Sequence, residues 1–243
     1  MILKTFTING ESVAPITLFG RNRHPEVLEW HQKVMLGHYQ LPVNYLECPF
    51  PSVSHGQMMN IVLQRSLDAE NVPDYYWWLD MDCIPLRQEA VTRAYQQTSD
   101  KLTVWGHAWG SMHKVGINGT VFHPYASQAC LMFSRELYNA LGNPDMDHHH
   151  SRSDTAEELT YAAKYAGYNV SLLYPSHSVV ADTPLDNLGP RYGMGITYGP
   201  LSRPLWFHAS SAPNPRHTEV FTETCKLVLA NAFEGSTPHV PYG

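Results

Sequence analysis

Cysteine is scarce in this chain. Four occur in 243 residues (Cys48, Cys83, Cys130 and Cys225), and none forms a C-x-x-C pair. That spacing gives neither a zinc knuckle nor a disulfide framework. It reads as free, mostly buried thiols in a reducing compartment. Charge is also thin, at 16% of residues, with a formal net charge of −6. A surplus of negative charge disfavours broad binding to nucleic acid or to an anionic membrane. No apolar run approaches the roughly 20 residues that a bilayer-spanning helix needs. The first residues, MILKTFTINGESV, lack the apolar core of a signal peptide and turn polar by Asn9. The expectation is a cytoplasmic protein without a transmembrane segment. There is no internal repeat and no linker, so a single domain is expected over residues 1–243.

Hydrophobic residues are plentiful, at 43%, enough for a sizeable core. Pro15–Phe19 predicts a strand, Glu26–Leu36 an amphipathic helix and Val43–Leu46 a second strand. Ser54–Leu67 predicts a helix. Asp74–Leu79 (DYYWWL) is so aromatic that both faces of the strand should be covered. Gln88–Gln97 follows as a helix and Leu102–Trp105 as a strand. This alternation argues an α/β fold with a mostly parallel central sheet flanked by helices. Strand C-termini then share one edge, where open sheets bind ligands.

Gly106–Gln128 shows no clear period. Ala129–Phe133 predicts a strand, and Ser134 caps a helix through Leu141. A helix is expected over Asp154–Ala166 and a strand over Asn169–Tyr174. Pro184–Pro204 reads as a long loop, Leu205–Phe207 as a short strand ending at His208, and Glu219–Phe233 as a terminal helix.

The chemistry concentrates at Asp80-Met81-Asp82, directly after the aromatic strand. Residues two apart in extended chain point to the same side. Two carboxylates there make an oxygen-rich site for Mg²⁺ or Mn²⁺. Turn formation and helix capping are the plain alternative for the same pair. Phe19-Gly20-Arg21-Asn22-Arg23 follows the first strand, and its arginines suit phosphate. His55-Gly56-Gln57 opens a helix whose N–H groups can meet an anion. Asp154 and Glu157 have the spacing of a capping box. The run Asp154, Glu157 and Glu158 also resembles the acidic motif that GT-A glycosyltransferases place at a helix start near the acceptor, which implies one of these carboxylates as general base. His107, Trp109 and His113 lie where a sugar ring would stack, with core packing as the alternative. His148, His149 and His150 read as an exposed loop.

YYWWLDMDCIPL resembles the hydrophobic strand and DxD segment of metal-dependent GT-A glycosyltransferases, over roughly residues 14–210. The resemblance implies a Rossmann-like nucleotide-diphospho-sugar transferase architecture. Residues 14–105 would bind the nucleotide-sugar and residues 106–243 the acceptor. It implies Asp80 on the ribose or the metal, Asp82 on the metal, and His208 as a late metal ligand. It implies Mn²⁺ or Mg²⁺ as cofactor. Phe19, Gly20, Arg21, Arg23 and Gln57 would line the donor site. The donor would be a nucleotide-sugar, with UDP-sugar favoured. The acceptor would be a glycan, a small molecule or a modified nucleobase. A haloacid-dehalogenase-type phosphatase, whose first motif is also a strand ending in DxD, and a non-catalytic nucleotide-sugar-binding module are the alternatives.

Overall fold

The structure is a computed structural model and describes residues 1–20, 24–111, 123–148, 153–178, 183–184, 195–209 and 215–234. It is a mixed α/β fold with a seven-stranded central sheet and a second sheet of five strands. The central sheet is built on β2 (Glu11–Gly20) and β4 (Tyr75–Leu79), which pair in parallel from Val13↔Tyr75 to Ile16↔Trp78. The other side of β2 carries β3 (Asn44–Cys48), in parallel, and the short β1 (Phe6–Ile8). Beyond β4 come β7 (Pro124–Ser134), β6 (Thr103–Gly110) and β8 (Asn169–Leu173).

All five residues of β4 are buried. Side chains alternate across a strand, and here each face meets its own core. Tyr75, Trp77 and Leu79 join the cluster that contains Val27 and Val34, Ala90 and Ala94, and Val220 and Phe221. These come from α1 (Pro25–Gln32) with its π-helical continuation Lys33–His38, from α3 (Gln88–Thr98) and from α6 (Pro215–Leu229). Tyr76 and Trp78 join the opposite cluster with Met59, Val62, Leu137 and Leu159. Those belong to α2 (His55–Leu67), α4 (Arg135–Ala140) and α5 (Glu157–Tyr165). A run as apolar as YYWWL is stable only in this doubly covered position. Each tryptophan removes on the order of 150–250 Å² from water.

The expected β-α-β-α-β-α-β order over β2 to β6 is present. The sheet is mostly parallel as expected, with β2, β3, β4, β6 and β8 running the same way. Three details differ. β7 runs antiparallel to both β4 and β6. The segment Gly106–Gln128 is not wholly irregular. β6 continues to Gly110, β7 already begins at Pro124, and the two form a hairpin with a bulge after Gly106. A Cβ on Gly106 would lie 2.8 Å from Ala126 Cβ and from Cys130 O, so only glycine fits there. Third, the helix expected from Asp154 begins at Glu157. Its N-cap is Ala156, in a left-handed conformation at φ 61°, rather than Asp154.

The second sheet runs β10 (Thr183–Pro184), β9 (Pro175–Ser178), β11 (Ile196–Tyr198), β12 (Trp206–His208) and β5 (Cys83–Pro85), all antiparallel. β11 falls within the stretch read from sequence as a loop. The chain passes from the central sheet to the second sheet within Asp80-Met81-Asp82. None of the described helices is long and apolar enough to cross a membrane.

Helix α2 is pinned against the Met146–Asp147 segment through Gly56. A Cβ built there would collide with Asp147 Cα and Met146 O. Gly56→Ala should therefore destabilise the fold by about 1–3 kcal/mol, despite alanine's better helix propensity. Urea denaturation measures it. A stabilised variant would show that the helix does not dock there.

Candidate metal and nucleotide site

Asp80 lies one residue past the end of β4. Its N–H still reaches across to the β7 bulge, donating to Ala129 O at 3.1 Å. The chain then turns, with Cys83 N–H donating to Asp80 O at 3.0 Å. On the far side β12 locks the turn into the second sheet. His208 pairs with Cys83, and Ala209 N–H donates to Asp82 O at 2.9 Å. A strand end, a turn and a strand from another sheet thus bring Asp80, Asp82 and His208 together. His208 Nε2 is 3.3 Å from Asp82 Oδ1 and 3.7 Å from Asp80 Oδ2. One donor atom from each of the three lies within 4.8 Å of the others.

The electrostatics show what this arrangement costs. Burial pushes the Asp80 carboxyl above the usual range; His55 opposes that and Asp82 adds to it. Asp82 is held below its ordinary value although burial acts the other way, because His208 sits beside it. Burial would lower His208, but the charge and hydrogen bond of Asp82 raise it. His55 beside Asp80 and His208 beside Asp82 each oppose the cost of holding the two carboxylates together. Two carboxylate oxygens and an imidazole nitrogen form a donor set that suits Mn²⁺, so these residues fit a divalent cation.

Two histidines that sequence reading did not assign complete the surroundings. His55 Nε2 is 3.9 Å from Asp80 Oδ1. His31 is fully buried, and burial lowers its pKa to about 4, so it is neutral. Its Nε2–H donates to Cys83 O at 3.1 Å and its Nδ1 accepts from the Tyr45 hydroxyl at 2.8 Å. It braces the turn from below. On α1 it reads as a polar residue at a helical position, and nothing local in sequence points to Cys83.

A cleft of about 310 Å³ opens beside the carboxylates. Phe19 and Gly20 line it, together with His24, Phe50, His55, Asp80, Met81 and Asp82. Arg21 and Arg23 lie outside the described residues, as do His113, His149 and His150. Gln57 is not turned to the cleft chemistry. Its Oε1 accepts from Ser54 N–H at 3.1 Å, and its own N–H donates to Ser54 Oγ at 3.0 Å, closing a capping box. His148 is half-buried, with Nδ1 3.6 Å from Asp147.

The acidic group at α5 sits beside the far end of the β6–β7 hairpin. The Tyr125 hydroxyl donates to Asp154 Oδ2 at 3.4 Å. Tyr125 pairs with Trp109 across the hairpin, and the Trp109 and His208 ring centroids are 6.3 Å apart. Glu157 is fully buried, and its Oε2 accepts from Asp154 N–H at 2.7 Å. Glu158, one residue further along α5, is half-buried. His107, expected near a sugar ring, lies in the interior, stacked on Tyr198 at 3.8 Å between ring centroids.

No profile of a known protein family matches the chain, and no curated protein matches it in sequence. Among solved structures it is similar to the catalytic domain of Drosophila β1,4-galactosyltransferase 7 in complex with xylobiose. The identity is 17% and the TM-score 0.43, covering 66% of this chain and 63% of that one. The same enzyme is also matched as a mutant in complex with manganese, UDP-Gal and xylobiose, at 16% identity and a TM-score of 0.41, covering 65% of this chain and 64% of that one. Protein A197 of STIV matches at 10% identity and a TM-score of 0.44, covering 67% and 81%. A glycosyltransferase that glycosylates the major capsid of PBCV-1 matches at 11% and 0.33, covering 52% and 62%. This chain thus spans less than two thirds of the galactosyltransferase domain. At these distances the side chains at the sheet edge, not the similarities, carry the chemistry.

Wherever His208 holds a proton, a cation entering this site must displace it. The folded pKa of His208 is raised, so its pairing stabilises the metal-free protein below the ordinary histidine value near 6.5 and is lost as pH rises through the raised value. The folded pKa of Asp82 is lowered, so its contribution is lost only as pH falls through that lower value. The gain in melting temperature on adding Mn²⁺ should therefore grow from about pH 5.5 to pH 8. Differential scanning fluorimetry across that range checks it. A gain independent of pH would remove His208 from the ligand set.

Proposed function

We propose that this protein is a metal-dependent glycosyltransferase that moves a sugar from a nucleotide-diphosphate sugar, UDP-sugar by preference, to an acceptor hydroxyl. The observation that carries the reading is the Asp80–Asp82–His208 group at the mouth of a cleft walled by Phe19, Phe50 and the backbone of Gly20. Carboxylates and imidazole meet there at the end of a parallel strand, where α/β sheets bind their ligands.

Asp80, Asp82 and His208 would hold Mn²⁺, or Mg²⁺ in its place. When bound, the ion supplies Lewis-acid neutralisation of the departing diphosphate. The remaining work belongs to the chain. Phe19 and Phe50 offer apolar surface to the nucleoside, and His55, beside Asp80, donates toward the diphosphate. Trp109, next to His208, offers a ring face to a sugar. Asp154 accepts the proton of the attacking acceptor hydroxyl as the anomeric carbon parts from the diphosphate oxygen. Glu157 is a positioning residue, because it acts through the Asp154 backbone N–H. Tyr125 orients the Asp154 carboxylate. An Asp base of this kind suits a single displacement.

Asp82→Asn keeps the volume of the side chain and removes a ligand charge. It should lower transfer from a UDP-sugar at saturating Mn²⁺ by roughly 10²–10³-fold. Asp154→Asn should lower kcat by roughly 10²–10⁴-fold with little change in donor KM. Release of UDP from a panel of UDP-sugars, with and without an acceptor, reads both. Full activity in Asp82→Asn would refute the metal assignment; an equal loss in kcat and donor binding for Asp154→Asn would refute its role as base.

A further inference from the structure

Immediately behind the carboxylate turn lies a second cluster with different chemistry. Cys83 opens β5, His107 follows the register shift on β6 and Cys130 lies on the bulged part of β7. All three side chains are fully buried, and one donor atom from each lies within 4.8 Å of the others. Three strands and both sheets meet at this point. Neither ring nitrogen of His107 has a hydrogen-bond partner among the described residues. The Tyr198 hydroxyl, on the ring stacked against His107, has none either. The rest of the box is aromatic, with Trp105 and Trp206 both edge-on to the imidazole at 6.1 and 5.8 Å.

A buried imidazole that makes no hydrogen bond is costly. Two sulfurs within reach of it supply an explanation that core packing does not. We infer that Cys83, His107 and Cys130 bind a thiolate-preferring divalent cation of the zinc class, at a site distinct from Asp80, Asp82 and His208. Binding converts two thiols to thiolates and releases two protons to solvent. Two thiolates and a neutral imidazole exactly cancel a dication, leaving no net charge in an apolar interior. The two sites sort cations by softness: sulfur and imidazole select the zinc class, whereas carboxylate oxygens suit Mn²⁺ or Mg²⁺. The ion would cross-link the central sheet to the second sheet one residue after Asp82, and so hold the turn that carries both carboxylates. This inference does not rest on the transferase reading.

Cobalt is the probe. The full-length protein is reduced, stripped with a chelator and titrated with Co²⁺. The expected result is an intense near-ultraviolet thiolate-to-cobalt charge-transfer band that saturates at one equivalent. Zn²⁺ should abolish it and Mn²⁺ should not. Asp82→Asn should keep the band, while Cys83→Ser and Cys130→Ser should each lose it. A Cys48→Ser/Cys225→Ser double variant retains only the two proposed thiols and should also keep it, which guards against misfolding of the first two variants. Absence of the band in the unmodified protein would overturn the inference. So would its loss in the double variant or its survival in Cys83→Ser.

Discussion

Two like charges are forced side by side at the end of a strand that is buried on both faces, and much of the molecule answers that constraint. Repulsion between Asp80 and Asp82, sharpened by burial, must be met by positive charge. His208 stands 3.3 Å from one carboxylate and 3.7 Å from the other, and His55 3.9 Å from Asp80, where either imidazole can answer that repulsion. For His208 to stand there, β12 must pair with β5, and β5 must begin directly after Asp82. The second sheet exists at this position because the turn between the carboxylates leads into it. His31 from α1 and the Ala129 carbonyl from the β7 bulge fix the same turn from two other directions.

The sequence made the centre of this arrangement legible and its periphery obscure. DYYWWL is too apolar to be anything but a doubly covered strand, and Asp-x-Asp follows it without interruption. Those two facts place the carboxylates at a ligand-binding edge before any coordinates exist. His208 was legible because a short apolar run ends at it. The reversal of β7 was not, since an antiparallel strand with both faces covered reads the same as a parallel one. The bulge hid the start of β7, because its extra residues broke the period. Ser54 and Gln57 form a capping box that sequence alone leaves indistinguishable from a ligand-facing helix start. Asp154 and Glu157 are the opposite case. Their spacing spelled a capping box, and half of it forms, with Glu157 accepting from the Asp154 N–H, but Ala156 in a left-handed turn takes the N-cap of the helix itself.

Donor chemistry also divides by depth. The carboxylate oxygens sit at the cleft, and the Cys83 sulfur sits one residue further along the chain in the buried interior. Cys83 is adjacent to Asp82 in sequence and paired with His208 across the sheet. Any change in how the two sheets meet is therefore felt at the carboxylates. The outer group lines a cleft, while Cys83, His107 and Cys130 are fully buried among the described residues.

The central claim is that the cation at Asp80, Asp82 and His208 is what holds a nucleoside diphosphate. Calorimetric titration of UDP into the protein with and without Mn²⁺ measures that coupling directly. The account predicts that Mn²⁺ tightens UDP binding by at least tenfold, about 1.4 kcal/mol, and that His208→Ala removes most of the gain. Equal UDP affinity in the presence and absence of Mn²⁺ would contradict it.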